Sequence, residues 1–525
     1  MFAFLKDKLL NSISLMTFLN KQSWLGKIVN KIAINQTVNS ARERPHPWST
    51  VHDYVSWVSL TDKKWSARHL PADRRERTLP DSGALIALFN RDGQPQRMSK
   101  KSTCLFPAFA QYLTDGFIRT RMPKASAGDT DQVRLQNTSN HEIDLCTLYG
   151  RTQEQTLALR GKSEEKGQKG CLKFQLIKGE EFSPYLYDIE GNFTDSEFTL
   201  LDPPLGIGKI ADAEQKSRIF AVGGDRINSA PQVAMINTLF LREHNRLAGE
   251  IEKNHSGWND ERVFQTARNT VIVLFIKIVV EDYINHISPI EFNMMADPSV
   301  AWDAKWNKPN WITTEFSLLY RWHSLIPENI EWMGTSFSPA QAFLNNKPLV
   351  DNGLRQGMLD MSSQATAELG SFNTAGFLLG VEKQAIDQGR LVNLVPYNDY
   401  RVYVSLPKKK NFNEVSTNPK IVDFLKSNYA SVDDIDFYIG LFAEDRQKNS
   451  PLPELILRFV AIDAFSQALT NPLFSKHIFN ESTFSTAGWK AINNTSTLVD
   501  ILKRHYDDIG DNDFIGMTQE SWDQE

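Results

Sequence analysis

Two long helical patterns between residues 230 and 288 constrain the fold of this chain more than any other feature. Residues 230–254 carry apolar side chains at three- and four-residue steps, a spacing that predicts an amphipathic helix. The positions that set this period are Val233, Ile236, Leu239, Phe240, Leu247 and Ile251. Residues 260–288 are mostly apolar and predict a long helix at the centre of the protein. The fold class that follows is mainly α.

Weaker patterns indicate how the rest of the chain is organised. Further helices are predicted at 311–325, 337–344, 363–369 and 453–470, and short strands at 171–177 and 181–189. No internal repeat of about 20–50 residues is apparent. The run Pro45-His46-Pro47 is unfavourable for a continuing helix. We therefore divide the chain into an N-terminal segment, residues 1–45, and one large domain, residues 46–525.

Composition excludes several classes of protein. The chain has 525 residues, of which 41% are hydrophobic and 23% charged, as in ordinary globular proteins. The formal net charge of −5 argues against a general nucleic-acid binder, which is usually basic. The three cysteines form no disulfide framework and no zinc-binding pattern. No P-loop, HExxH or GxSxG motif is present, so the common nucleotide-binding and hydrolase functions lack support.

The first 38 residues combine five lysines and a single acid, Asp7, with many Phe, Leu, Ile and Trp residues. This composition suits short amphipathic helices that lie on a membrane surface without crossing it. A helix docked on the protein core is the alternative. Lysines interrupt the first apolar run, so we predict no signal peptide. No apolar window looks long enough for a transmembrane helix. We expect a peripheral membrane protein, on the cytoplasmic side.

Several sequence blocks resemble, in order, the cyclooxygenase branch of the animal haem peroxidase superfamily. The blocks are FAQYLTDGF (109–117), IDLCTLYGRT (143–152), NTLFLREHNRLAGEI (237–251), IKIVVEDYINHIS (276–288), EFSLLYRWHSLIPE (315–328), AIDQGR (385–390) and YNDYR (397–401). The resemblance extends from about residue 40 to 495. It implies a large haem-peroxidase-like helical domain around haem b, preceded by an amphipathic membrane-surface segment. The disulfide-rich module of the animal enzymes is absent, as expected of a bacterial-type or minimal relative.

The resemblance assigns the proximal side of the haem to His323, which would ligate the iron. Taken alone, a histidine in an apolar segment is more often a packed core residue. Tyr438 resembles the tyrosine that lies near this histidine and would support it. Its alternative role is core packing. Asp144 and Arg390 fall in matched blocks and are expected to be structural.

Tyr320 is the candidate radical-forming residue. A tyrosine and a histidine three residues apart are neighbours if they lie on one helix face, so Tyr320 is expected beside the haem edge. Tyr283 matches a family tyrosine that hydrogen-bonds the radical tyrosine. Positions that match the lining of the fatty-acid channel are Ile284, Phe316, Leu319, Phe465 and Ser466. Simple core packing is the alternative for each of them.

The distal side of the haem is where the chain departs from the family. Gln111 matches the family glutamine, but Asp115 replaces the histidine that moves a proton during peroxide cleavage. A carboxylate could serve if burial raised its pKa. His141 is a weaker candidate for the same task. Robust peroxidase activity is therefore not expected from the resemblance alone.

The carboxylate-binding end of the channel also differs. Arg42 or Arg44 is the candidate arginine for the fatty-acid carboxylate, which one guanidinium can hold through paired hydrogen bonds. The family's tyrosine partner is replaced by Ile290. Prostaglandin chemistry proper is not assumed.

The function inferred from the sequence is that of a haem-dependent fatty-acid dioxygenase. Its substrates would be a long-chain unsaturated fatty acid and O2, and its product a lipid hydroperoxide. A haem peroxidase that oxidises small donors with hydrogen peroxide is one alternative. A non-catalytic haem-binding or membrane-associated protein is another. The oligomeric state is open.

Overall fold

The computed structural model describes residues 13–21, 23–39, 64–510 and 513–519, and the described chain is mainly helical, as predicted. The helices of five or more residues are α1 (Ile13–Lys21), α2 (Ser23–Asn39), α3 (Leu105–Asp115), α4 (Gln153–Leu159), α5 (Pro231–Asn254), α6 (Asp260–Ile278), α7 (Thr314–Leu319), α8 (Lys347–Ser363), α9 (Leu379–Leu391), α10 (Tyr397–Tyr403), α11 (Pro419–Asn428), α12 (Phe437–Ala443), α13 (Glu454–Leu469), α14 (Glu481–Asn493) and α15 (Leu498–Leu502).

Shorter elements connect these helices. Short α-helical turns lie at Ser82–Leu85, Cys146–Tyr149, Ala213–Lys216, Asn285–Ile287, Ser299–Trp302, Pro339–Ala342 and Phe412–Val415. Turns of 3-10 helix lie at Ile86–Leu88, Ala125–Ala127, Asp131–Leu135, Ser196–Leu200, Ile207–Lys209, Ile227–Ser229, His323–Leu325, Gly376–Leu378, Val432–Asp434 and Pro472–Phe474. The strands are β1 (Met98–Thr103), β2 (Gln175–Ile177), β3 (Glu180–Phe182), β4 (Ile330–Trp332), β5 (Thr335–Phe337) and β6 (Ala365–Ala367). They pair antiparallel as β1–β6, β2–β3 and β4–β5.

The two helices predicted from the strongest patterns, α5 and α6, pack against each other at the centre of the fold. Helix α6 begins where the Asn259 side chain accepts a hydrogen bond from the Arg262 N–H at 3.0 Å. Most of its residues are buried on all sides, which explains why its sequence is apolar nearly throughout. Helix α5 also packs against α3 and α8, and α6 against α14. The apolar residues of these helices form one continuous core.

Helix α6 continues into a π-helical segment, Val279–Ile284, which carries Tyr283. The whole run Asp260–Ile287 is long and apolar enough to cross a membrane, contrary to our expectation that no such window exists. However, 78% of its most apolar window is buried inside the fold. Its apolar character is thus accounted for by core packing.

One of the weaker helix predictions is wrong, and another is confirmed only in part. The segment 363–369 contains strand β6, which completes a two-stranded sheet with β1, and within 337–344 only Pro339–Ala342 is helical. Strand β1 lies far away in sequence, and local periodicity carries no information about such a partner. The helix predicted at 453–470 is confirmed as α13.

The N-terminal helix α2 docks on the body of the protein through one face. It packs against α13 and against the short helix Ser299–Trp302. The Asn30 side chain donates to the Met295 carbonyl at 2.9 Å and accepts from the Met295 N–H at 3.0 Å. The boundary that we placed at residue 45 lies outside the described residues.

A buried ion cluster on α5 fixes the C-terminal end of the fold to its centre. Glu243 is fully buried and pairs with Arg246 at 2.8 Å and with Arg504 at 2.9 Å, while His505 lies 3.3 Å away. Burial alone would raise the pKa of Glu243, but the hydrogen bonds and charges of these three basic residues lower the pKa to about 2.

We predict that Glu243→Gln lowers the free energy of unfolding at neutral pH by about 3 kcal/mol, because the basic residues lose a buried partner. The carboxylate has its ordinary pKa of 4.5 when unfolded and a lower pKa when folded. Its stabilising effect is therefore complete above pH 4.5 and is lost as the pH falls towards about 2. Chemical denaturation at pH 7 and at pH 4 measures both effects.

Glu250→Gln is the matched control. Glu250 lies on the same helix, is only partly buried, and pairs with Lys253 at 2.8 Å. Its loss is expected to cost less than about 1 kcal/mol. Equal effects of the two substitutions would contradict the importance of the Glu243 cluster.

Candidate active site

The segment that carries Tyr320 and His323 leaves helical geometry between them. Helix α7 begins where the Thr313 hydroxyl accepts from the Phe316 N–H at 3.0 Å, and it ends at Leu319. Tight turn bonds follow, from Trp322 N–H to the Tyr320 carbonyl at 2.9 Å and from Arg321 N–H to the Leu318 carbonyl at 3.1 Å. His323 then opens a separate 3-10 turn. The prediction that Tyr320 and His323 share one helix face is therefore wrong, because a turn lies between them.

Tyr320 lies in a cluster of aromatic rings. Its ring centroid is 4.8 Å from that of Phe316 and 4.8 Å from that of Trp322. Its hydroxyl is buried and has no hydrogen-bond partner among the described residues. Burial raises the pKa of Tyr320 well above its ordinary value. The phenol is thus held neutral in an apolar setting.

Tyr283 lies next to this cluster, but the hydrogen bond to Tyr320 that the resemblance implies is not formed among the described residues. It is fully buried, and its ring stacks against Trp322 at 6.5 Å. Burial raises the pKa of Tyr283 strongly, and the nearby Tyr320 phenol adds to the rise. The reciprocal effect of Tyr283 lowers the pKa of Tyr320, as a phenol that donates towards the Tyr320 oxygen would. Neither hydroxyl makes a hydrogen bond among the described residues, so both keep unused hydrogen-bonding capacity.

His323 faces a carboxylate that the sequence analysis missed. Its Nδ1 lies 3.3 Å from Glu382 Oε2, although the N–H direction does not yet align for a hydrogen bond. The Tyr438 hydroxyl donates to the same Glu382 oxygen at 2.5 Å. Tyr438 therefore reaches His323 only through Glu382. Among the described residues no hydrogen bond involves His323 Nε2, and 15% of the side chain is exposed.

Glu382 lies in the first turn of α9, and Tyr438 lies on α12. Helices α9 and α12 pack against each other and against α7, and this places both side chains beside the turn after α7. In the sequence, Glu382 stands just before the AIDQGR block and looks like an ordinary surface charge. No local pattern distinguishes it, since its partners are distant in the chain.

A second polar cluster surrounds Asp115 at the end of α3. Gln111 donates to the Ser229 hydroxyl at 2.7 Å, and its Nε2 lies 3.5 Å from Asp115. Arg226 lies 3.5 Å from Asp115 and donates to the Ile118 carbonyl at 3.0 Å. Arg226 is a further residue that the sequence analysis missed, and only the GGDR turn that precedes it stands out as a signal.

Burial raises the pKa of Asp115 to about 6, against the opposing charge of Arg226. The carboxyl group is therefore able to exchange a proton near neutral pH. His141, the alternative candidate for this task, is engaged elsewhere. It stacks on Trp311 at 4.7 Å, and its Nδ1 accepts from the Ile312 N–H at 2.9 Å.

Arg321 lies between Tyr320 and His323 in the chain, and its side chain donates to the Ser317 carbonyl at 3.3 Å. Burial lowers the pKa of Arg321, and the like charge of Arg226 adds to this effect, whereas Tyr438 and Glu382 oppose it. The chemistry of these donors fits a haem, because Nε2 of His323 makes no hydrogen bond among the described residues and Gln111, Asp115 and Arg226 form a separate polar cluster.

The predicted channel residues are all buried near the turn after α7. They are Ile284, Phe316, Leu319, Phe465 and Ser466. The Ser466 hydroxyl donates to the Asp463 carbonyl at 3.0 Å. Arg42 and Arg44 lie outside the described residues. Ile290 is half-buried and lines a separate cavity of about 500 Å³ with Asp282 and His286.

Sequence analysis did not single out the polar residue Asp463, which lies close in the chain to Phe465 and Ser466. Its carboxylate lies 3.0 Å from His69 Nε2. An open cavity of about 790 Å³ is lined by His69, Arg75, Asp399 and Lys408 together with apolar side chains.

Arg390 pairs with Asp436 at 2.9 Å, and Asp144 accepts from the Cys146 N–H at 3.0 Å. These contacts are structural, as expected for both residues.

Comparison with known proteins identifies the family of this chain. The family model described as animal haem peroxidase matches residues 99–514. Prostaglandin G/H synthase 2 of Equus caballus is 28% identical over 466 residues, covering 86% of this chain and 73% of the relative. Prostaglandin G/H synthase 1 of Mus musculus is 28% identical over 495 residues, covering 90% and 77%. These relatives are oxidoreductases.

Solved structures share the fold at lower identity. Peroxidase A from Dictyostelium discoideum has a TM-score of 0.67 at 20% identity, covering 91% of this chain and 96% of its own. A fatty acid alpha-dioxygenase of Oryza sativa, a tyrosine-to-phenylalanine variant with palmitic acid, has a TM-score of 0.67 at 17% identity, covering 96% and 93%. Since the family model spans most of the sequence, this chain belongs to the animal haem peroxidase family, on a cyclooxygenase-like branch, and is an oxidoreductase whose family cofactor is haem.

Proposed function

We propose that the protein is a haem-dependent fatty-acid dioxygenase in which Tyr320 forms the reactive radical. The observation that carries this proposal is the Tyr320 hydroxyl, which is buried without a hydrogen-bond partner among the described residues, beside the candidate iron ligand His323. A phenol without an acceptor is free to lose and regain a hydrogen atom. The similarity to prostaglandin synthases supports the same class of reaction.

His323 would hold the iron through Nε2, since Nδ1 faces Glu382. When bound, the haem would supply one-electron oxidising chemistry at this site. Tyr320 would give up one electron and its phenolic proton together, as the equivalent of a hydrogen atom. Tyr283 would donate towards the Tyr320 oxygen and hold the phenol in position.

The Tyr320 radical would then remove a hydrogen atom from a carbon of the substrate, which leaves a carbon radical and the restored phenol. O2 adds to that carbon and gives a peroxyl radical. The peroxyl radical takes the hydrogen atom back from Tyr320, which forms the lipid hydroperoxide and regenerates the tyrosyl radical. The sequence of steps balances without another reductant. It requires close and oriented contact between the phenol and the acyl chain.

A long-chain unsaturated fatty acid is the substrate that suits the apolar surroundings of Tyr320. The Tyr320 ring packs against Phe316 and Trp322, and the preceding Leu319 is buried. An acyl chain would be favoured there by the same burial of apolar surface that packs the core. One related structure contains palmitic acid, which supports fatty-acid binding on this fold.

We predict that Tyr320→Phe lowers fatty-acid-dependent oxygen uptake by at least about 100-fold, a loss that even a small misplacement of reacting groups can cause. Haem binding, read from the Soret band, is expected to be unchanged. An oxygen electrode with an unsaturated fatty acid measures the rate. Tyr112→Phe removes another buried phenol, one that bonds Asn237 at 3.1 Å, and is the matched control. Full uptake by Tyr320→Phe would refute the radical role.

A peroxidase function is the second candidate, and the contact of Asp115 with Arg226 favours it. A carboxylate with a pKa of about 6 can accept the first proton of a peroxide and return it to the departing oxygen. The Arg226 guanidinium lies 3.5 Å from Asp115 and can stabilise the negative charge that develops. Both functions would use the same His323 and the same cofactor.

We predict that peroxide-driven oxidation of guaiacol rises roughly tenfold between pH 5 and pH 7, because Asp115 acts as a base only when ionised and its pKa is about 6. Asp115→Asn should lose about 100-fold or more and flatten this pH profile. Asp129→Asn, which removes a carboxylate paired with Arg121, should keep the profile. A wild-type rate that is independent of pH over this range would argue against Asp115.

We further propose that α1 and α2 bind the surface of a membrane. Trp24, Ile28 and Ile32 lie four residues apart on α2 and are 63%, 49% and 60% exposed. They point away from the docked face that holds Asn30. Lys27 and Lys31 flank them and are also exposed, which suits anionic lipid head groups. The docked face supports the interpretation of the N-terminal segment as a helix packed on the core. The exposed face supports its interpretation as a membrane-surface segment.

We predict that changing Trp24, Ile28 and Ile32 together to serine weakens binding to vesicles of anionic phospholipid by at least about tenfold, since each buried side chain contributes about 1.5 kcal/mol or more. Co-sedimentation with vesicles measures the affinity. The control changes Leu176, Leu200 and Leu205 to serine, which are 67%, 52% and 54% exposed elsewhere on the surface. Equal weakening by both triple variants would contradict a specific membrane face.

A further inference from the structure

Glu382 is a buried carboxylate in an unusual setting. Its side chain is 2% exposed, and among the described residues the only basic group within ion-pair distance is the imidazole of His323. An ionised carboxylate buried without a permanent cation is costly unless hydrogen bonds compensate for the lost water. The contacts that surround Glu382 therefore indicate what the carboxylate is for.

Two neutral hydrogen-bond donors compensate the Glu382 carboxylate for the water that it loses on burial. The Thr374 hydroxyl donates to Oε1 at 3.0 Å, and the Tyr438 hydroxyl donates to Oε2 at 2.5 Å. The position of Glu382 in the first turn of α9 adds the favourable end of the helix dipole. Burial and the adjacent Glu382 charge both raise the pKa of Tyr438, so the phenol stays a donor. The same Oε2 lies 3.3 Å from His323 Nδ1.

We propose that Glu382 is a positioning residue for His323 and that Tyr438 competes with His323 for the same carboxylate oxygen. Glu382 would fix the tautomer with the proton on Nδ1, orient the ring, and make the imidazole a stronger electron donor through Nε2. Tyr438 would limit this effect by drawing charge on Oε2 towards its own hydroxyl. This inference rests on the proposed role of His323 as the iron ligand.

Glu382 and Tyr438 are therefore expected to shift the reduction potential of the bound haem in opposite directions. An imidazole that donates more electron density favours the ferric over the ferrous state, and this lowers the reduction potential of the bound haem. Removing the charge of Glu382 should raise the potential. Removing the Tyr438 hydroxyl should leave more charge for His323 and lower the potential. A merely structural role would loosen the site in the same direction in both variants.

The test compares Glu382→Gln and Tyr438→Phe in the full-length protein loaded with haem. The readouts are the reduction potential, from spectroelectrochemical titration, and the iron–imidazole stretching frequency of the reduced protein. We expect Glu382→Gln to show a higher potential, a lower frequency and a haem affinity reduced about 10–100-fold. We expect Tyr438→Phe to show a lower potential, a higher frequency and a nearly unchanged affinity.

Asp387→Asn is the matched control, because it removes one carboxylate from the same helix, where Asp387 pairs with Lys383 at 2.7 Å near the surface. It should leave both readouts unchanged. Shifts of the same sign in Glu382→Gln and Tyr438→Phe, or no shift in either, would overturn the proposal. The His323→Ala variant distinguishes failure of this proposal from failure of the proposed role of His323 as the iron ligand. If that variant binds haem normally and keeps its wild-type spectrum, His323 is not the ligand.

Discussion

The turn that ends helix α7 sets the geometry on which the whole candidate site depends. Had the helix continued, Tyr320 and His323 would lie on one face and address the same neighbours. The short bonds after Leu318 instead turn the backbone, so that Tyr320 packs in the aromatic cluster while His323 faces Glu382. One short peptide segment thus separates the residue that would touch substrate from the residue that would hold the iron.

The Asp115 and Glu382 carboxylates are both buried, but different neighbours stabilise their negative charge. Asp115 has a permanent cation, Arg226, within 3.5 Å, and it still keeps a pKa of about 6 because burial opposes ionisation. Among the described residues, Glu382 has only the imidazole of His323 as a basic partner and is otherwise held by hydroxyl groups. A group with a pKa near neutrality suits proton exchange, whereas a carboxylate held by neutral donors suits orientation of a neighbour.

Sequence reasoning predicted those parts of the fold that depend on local periodicity. Helices α5, α6 and α13 follow from the spacing of their apolar residues, which is a property of each segment alone. The residues around Tyr320 and His323 could be named because ordered blocks resemble a known family. Glu382 and Arg226 could not, since their roles arise from contacts between segments far apart in the chain. The turn after α7 was also missed, because apolar residues on both sides of it imitate a continuous helix.

The π-helical segment that carries Tyr283 changes the phase of the core helix. A π-helical turn accommodates one more residue than an α-helical turn of the same helix. Residues on the two sides of Val279–Ile284 are therefore out of phase by about 100° relative to an uninterrupted α-helix. One continuous helix can thus keep its packing against α5 and α14 before the segment and direct Tyr283 towards Trp322 within it.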